Sequence, residues 1–110
     1  MSTGIDLIAA ERQRQIDVEG YDADHDKGYS TDIALAGASY ALTPDFRSYA
    51  FHQRESPDTW PWRTEQWKPT PGDRIKELAK AGALIAAAID AMLDEGYVTQ
   101  AEGQTDMGLG

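Results

Sequence analysis

Ile75, Leu78, Gly82, Ile85, Ile89 and Met92 follow one another at alternating steps of three and four. That spacing lines one face of a helix and resembles a coiled-coil seam. The pattern predicts a helix opening at Pro71-Gly72-Asp73, with Asp73 as its N-cap. Burying five large side chains from such a seam is worth roughly 8–15 kcal/mol gross, before entropy is subtracted. Ala81, Leu84, Ala88 and Ala91 fall on a second face, and no position from 81 to 89 is charged. A helix apolar on all sides must be buried on all sides. The two earlier helices offer too little apolar surface to do this alone, so the pattern predicts a homo-oligomer, with Gly82 and the alanines allowing helices to cross closely.

The other periodic stretches are weaker. Ile5, Ile8, Arg12 and Ile16 have helical spacing, which predicts a first helix over about residues 5–18, stopped by Gly20. On it, Glu11 with Arg14 or Gln15, and Arg12 with Ile16, read as helix-surface pairs. Residues 19–29 are dominated by glycine and aspartate and read as a loop. A second helix is expected over residues 32–42, capped by Ser30 or Thr31, with Asp32 in its first turn and Pro44 ending it. Ile33, Gly37, Tyr40 and Ala41 share one side of it, and Ala34, Gly37 and Ala38 are small enough for another helix to approach. Residues 43–72 hold the prolines and all three tryptophans. A turn or two of helix fits residues 46–52. So long a connection is uncommon in a compact domain unless it has a task, and its aromatics argue against disorder. The expected fold class is all-α: one three-helix domain over residues 1–96 with a long Trp/Pro-rich loop, then a polar, glycine-rich tail over 97–110 that frays.

Composition narrows the function. The chain has 110 residues, no cysteine and a formal net charge of −9. One domain is expected, without disulfides or thiolate metal sites. No basic start followed by an apolar run suggests a signal peptide, and no uncharged stretch approaches the ~20 residues of a membrane span. So acidic a surface repels a phosphate backbone, which argues against binding of a DNA or RNA duplex. Yet Arg63, Lys68, Arg74, Lys76 and Lys80 lie close together in sequence, so a small anion could still find a basic pocket.

Three groups of residues could carry chemistry. Asp22, Asp24 and Asp26 alternate in a loop, with Glu19 before and Asp32 after, and could offer oxygens to Mg²⁺ or Ca²⁺. The pattern is not an EF-hand: counting from Asp22, glycine falls at position seven (Gly28) and position twelve is Ile33. The other reading is a solvated acidic turn, and His25 within it could be a ligand or base, though a lone loop histidine is usually neither. The second group is Trp60-Pro61-Trp62 with Trp67-Lys68-Pro69. Indole faces stack on bases for about 1–3 kcal/mol each, and Arg63, Lys68 and Arg74 could take phosphates. The alternative is a small aromatic core that pins the loop. The third is Arg74 with Lys80 on the last predicted helix. A partly buried Lys80 needs an anionic partner, such as Asp32 or a ligand phosphate, or else snorkels to the surface. There is no phosphate-binding Gly-x-x-x-x-Gly-Lys loop, no Gly-x-Ser-x-Gly elbow and no His-Glu-x-x-His.

Over residues 8–92 the chain resembles small proteins encoded by bacteriophages and prophages. The resemblance is carried by Glu11-Arg12-x-Arg14-Gln15, Glu19-Gly20-Tyr21, His25-Asp26, Trp60-Pro61-Trp62, Trp67-Lys68-Pro69 and Lys80-Ala-Gly-Ala-Leu-Ile. It implies a cytoplasmic location in a bacterial host. More distantly, the chain resembles MazG-like all-α nucleoside triphosphate pyrophosphohydrolases, helical oligomers that hold Mg²⁺ with Glu-Glu-x-x-Glu on one helix and Glu-x-x-Asp on another. The chain departs from that pattern: the helix around Asp32 supplies one acid, and Glu77 is followed by Lys80 where an Asp belongs. The expectation is therefore an oligomer that sequesters a small nucleotide-derived ligand, such as an immune signalling nucleotide, without chemistry. Trp60, Trp62 and Trp67 would stack on the base, and Lys68, Arg74 and Lys80 would take the phosphates. The alternatives are a MazG-like pyrophosphohydrolase using Glu19, Asp24, Asp26 and Asp32 for Mg²⁺, and an adaptor whose tryptophan loop docks on a host protein.

Overall fold

The computed structural model describes residues 2–43 and 56–99, without the side chains of residues 23 and 24. The expected helical turns over 46–52 and most of the expected tail lie outside these residues. Every regular element among the described residues is helical, and none is a strand. Helix α1 spans Gly4–Glu19, α2 spans Ala23–Asp26, α3 spans Ser30–Ala41, a single 3₁₀ turn covers Thr64–Gln66, and α4 spans Arg74–Asp94. No helix among the described residues is long and apolar enough to cross a membrane.

The helix ends follow from local chemistry. Thr3 and Asp6 form a reciprocal capping box: the Thr3 hydroxyl accepts the Asp6 N–H at 3.2 Å, and the Asp6 carboxylate accepts the Thr3 N–H at 3.0 Å. Gly20 closes α1 in the left-handed region (φ 74°), where a side chain would be strained. The stretch expected to be an irregular loop contains α2, because Asp22 caps it by accepting the His25 N–H at 2.9 Å. Helix α3 begins earlier than expected, at Ser30. Tyr29 sits at its N-cap and supplies no side-chain cap, so neither Ser30 nor Thr31 has the predicted role. Asp73 does cap α4, accepting the Lys76 N–H at 3.1 Å.

Helix α4 is the spine, packed by α3 along one side and α1 along another. The core comprises Ile33, Ala36 and Tyr40 from α3, Ala81, Leu84, Ala87 and Ala88 from α4, and Trp60 from the tryptophan loop. Gly37 brings α3 close: a Cβ there would lie 3.1 Å from the Ala81 carbonyl oxygen. Gly82 serves a contact inside the chain, since a Cβ there would lie 2.5 Å from Cδ1 of Ile8 on α1. The core uses the face of α4 expected to be secondary. The predicted seam is left outside: Ile75 is 67% exposed, Leu78 47%, Ile85 45%, Ile89 51% and Met92 40%. The alanine-rich face enters the core where α3 closes on α4 through Ala36 and Gly37, with Ile33 and Tyr40 beside them.

Candidate functional site

Glu11, Gln15 and Glu19 recur every four residues, which places them on one face of α1. That face looks onto α4 and the tryptophan loop. Arg14 grips Glu11 in a two-pronged contact, with Nε to Oε1 at 2.9 Å and Nη2 to Oε2 at 2.8 Å, and reaches Glu19 at 3.4 Å. Gln15 is 3% exposed and donates its Nε2 to Glu11 at 3.3 Å. That bond fixes the amide's orientation and turns Oε1 elsewhere, where it has no hydrogen-bond partner. Burial alone would raise the Glu11 pKa, but the Arg14 contact, with Gln15 and the charge of Lys80, outweighs it. The carboxyl is held below its ordinary value of 4.5. The Arg14 guanidinium is in turn held charged by its hydrogen bond to Glu11.

A lowered carboxyl pKa makes a pH prediction. Glu11 contributes stability that is complete above pH 4.5 and is lost as pH falls through the lowered folded-state value. Glu11→Gln is expected to cost about 1 kcal/mol at neutral pH and to flatten the acid limb of a stability profile measured by urea denaturation. An acid limb identical to that of the parent protein would remove Glu11 from this role.

The tryptophans form one aromatic cluster around Tyr40. Trp67 stacks on Tyr40 with centroids 4.6 Å apart, and Trp60 meets Tyr40, Trp62 and Trp67 edge-on at 5.5, 5.2 and 5.0 Å. Trp60 is 4% exposed and donates its indole N–H to the Arg63 carbonyl at 3.0 Å. The Tyr40 hydroxyl accepts the Lys68 N–H at 3.1 Å, and burial pushes its pKa up to about 12. Lys80 Nζ lies 5.3 Å from the centre of the Tyr40 ring and donates to the Lys68 carbonyl at 2.8 Å. Burial, and after it the like charge of Lys76, lowers its pKa. Its partners among the described residues are thus a carbonyl and a ring face.

Beside this cluster lie two adjoining hollows that share Tyr21, Trp62, Gln66 and Leu84 as walls. The smaller, about 70 Å³, lies among Glu11, Gln15, Glu19, Tyr40, Lys68 and Lys80. The larger, about 410 Å³, adds Tyr29, Ile33 and Ala87 as apolar or aromatic wall, with His25 and Asp26 as polar edge. Asp26 is 2% exposed. Its Oδ1 lies 2.8 Å from His25 Nδ1, and its Oδ2 lies 3.6 Å from Arg12 Nη2 without a hydrogen-bond partner. Arg12 also donates to the Tyr21 carbonyl at 2.7 Å, so it straps the α1–α2 turn across the end of the hollow. His25 stacks on Tyr21, with centroids 5.0 Å apart. No family model matches the chain, and no curated protein or solved structure does either. The cleft must be read from its own geometry.

That geometry divides the predicted binding residues. Trp62, Lys68 and Lys80 line the hollows, as does Glu19. Trp60 lines the smaller one but is sunk in the core, and Trp67 backs Tyr40. Arg74 stands apart: it donates to the carbonyls of Tyr40 and Ala41 at the end of α3 and to Glu77. The acidic loop is divided as well. Asp22 is spent on capping α2, Asp26 faces the cleft, the Asp24 side chain lies outside the described residues, and Asp32 is half-buried on α3 away from the walls. Among the described residues no three of His, Cys, Asp and Glu group as metal ligands. Each cleft-facing acid with a described partner is engaged by an arginine. The sequence reading missed Glu11, Arg14, Gln15, Tyr21 and Tyr29. The four-residue repeat of 11, 15 and 19 was the available signal.

Proposed function

We propose that the protein is a homo-oligomer that binds and sequesters a small nucleotide-like ligand in the larger hollow, without transforming it. The observation that carries this reading is an aromatic-walled cleft with a polar edge formed by His25 and Asp26. Tyr21, Tyr29 and Trp62 supply ring faces, and a volume of about 410 Å³ falls in the range of small-molecule sites. Lys68 and Lys80 line the adjoining hollow and in this reading receive a phosphate. In this reading Trp67 and Arg74 hold the frame, and Trp60 is its inner wall. The carboxylates engaged by Arg12 and Arg14 support holding a ligand rather than activating water.

A thermal-shift screen with mononucleotides and cyclic dinucleotides tests it. A ligand present at a hundred times its Kd adds about 2.7 kcal/mol, roughly 10 °C in Tm for a domain of this size. Trp62→Ala is expected to abolish the shift. No shift with any member of the panel would overturn the proposal. Release of pyrophosphate in the presence of Mg²⁺ would replace it with the hydrolase reading.

A further inference from the structure

Helix α4 has two working faces. Lys80, Leu84 and Ala87 look into the hollows, while Ile75, Leu78, Ile85, Ile89 and Met92 form an apolar stripe on another face. Ile8 of α1 lies over Gly82, so the large side chains of the stripe stand on either side of that contact. We propose that two copies of the chain pair through this stripe with their α4 helices antiparallel, about a two-fold axis near residues 83 and 84. This rests on the oligomeric part of the function proposed above and specifies its geometry.

Two features favour a second copy in this orientation. The first is the spacing of the stripe. Steps of three, four, three, four and three read the same in both directions. Reversing one helix therefore sets Ile75 against Met92, Leu78 against Ile89, and Ile85 against the place of Gly82, where Ile8 rests. Each large side chain meets a complementary position, as a two-fold interface requires. The second is charge along the helix. Its first two turns carry Arg74, Lys76 and Lys80 with only Glu77 among them, whereas its last turns carry Asp90 and Asp94, followed by Glu95. The peptide dipoles add positive charge at the first end and negative at the second. An antiparallel pair sets basic ends against acidic ends. A parallel pair would stack one acidic end on the other in a chain that already carries −9.

The absence of cysteine from the chain makes crosslinking clean. Ile75→Cys and Met92→Cys are made separately in the full chain, and mixed and unmixed samples are oxidised with copper phenanthroline. In the antiparallel pair, residue 75 lies about 25 Å along the axis from its own counterpart, so neither variant should crosslink alone, while the mixture should give a disulfide-linked dimer. Sedimentation velocity of the parent at tens of micromolar should show a dimer or a multiple of it. Ile89→Glu should reduce the assembly while leaving the helical circular dichroism unchanged. A parent that sediments as a monomer overturns both the pairing and the oligomeric reading, and leaves the stripe to residues 44–55, residues 100–110 or another protein. An assembled parent in which Ile75→Cys crosslinks to itself, or in which the mixture fails to crosslink, overturns the antiparallel register alone.

Discussion

Arg74→Ala is expected to lower the unfolding free energy by about 3–5 kcal/mol, the cost of stranding one partner of a buried ion pair. Glu77 is fully buried, at 0% exposed. Its carboxylate accepts the Thr70 N–H at 2.9 Å and faces Arg74 Nη1 at 3.2 Å. The same guanidinium closes the end of α3 by donating to the carbonyls of Tyr40 and Ala41. Removing it takes away the guanidinium that faces the buried Glu77 carboxylate and that donates to two helix-end carbonyls. Urea denaturation should show the loss as a lower midpoint with an unchanged slope. Glu77→Ala should cost a similar amount, and the double variant much less than the sum, because the two residues act as one unit. If Arg74→Ala left the midpoint in place and weakened only nucleotide binding, Arg74 would return to the ligand-binding role that its sequence neighbourhood suggested.

That contrast shows where sequence periodicity was informative. The existence and class of α1, α3 and α4 were legible because apolar residues recur at helical steps. The Asp73 cap was legible because an aspartate stands just ahead of the strongest run. Which face of α4 would enter the core was not legible. Isoleucine and leucine mark apolar surface but do not say which surface the neighbours can match, and α3 closes on α4 through Gly37 and Ala36. The cleft was legible only in part. Trp62, Lys68 and Lys80 were chosen by residue type, and chain folding brings them to the hollows. Arg74 was chosen by the same reasoning, but its reach across to α3 depends on a pairing 34 residues apart that no local pattern encodes. Glu11, Arg14 and Gln15 were read as ordinary surface pairs because a helix-surface pair and a cleft-lining pair look identical until the opposing wall is in place.

The tryptophans allow a sharper division of frame from site. Trp60 contributes to the core against Tyr40 and Leu84 and donates its indole N–H to a carbonyl. Trp62 is half-buried and forms a wall of both hollows. Trp60→Ala is therefore expected to cost about 3–5 kcal/mol, as large aromatic truncations in cores do, and to weaken ligand binding only through unfolding. Trp62→Ala should cost much less stability, because part of its ring already meets water, yet remove most of the nucleotide affinity. At a temperature where both variants remain folded, titration calorimetry should find near-parent affinity in Trp60→Phe and none in Trp62→Ala. Phenylalanine preserves a ring against Tyr40 while sacrificing the hydrogen bond to Arg63, so it tests the frame without emptying it. Equal stability losses at the two positions would mean that the loop is one packed unit, with no ring face reserved for a ligand. Loss of affinity in Trp60→Phe with Trp62→Ala unaffected would move the binding surface from the larger hollow to the smaller one, where Trp60 meets Gln15 and Lys80.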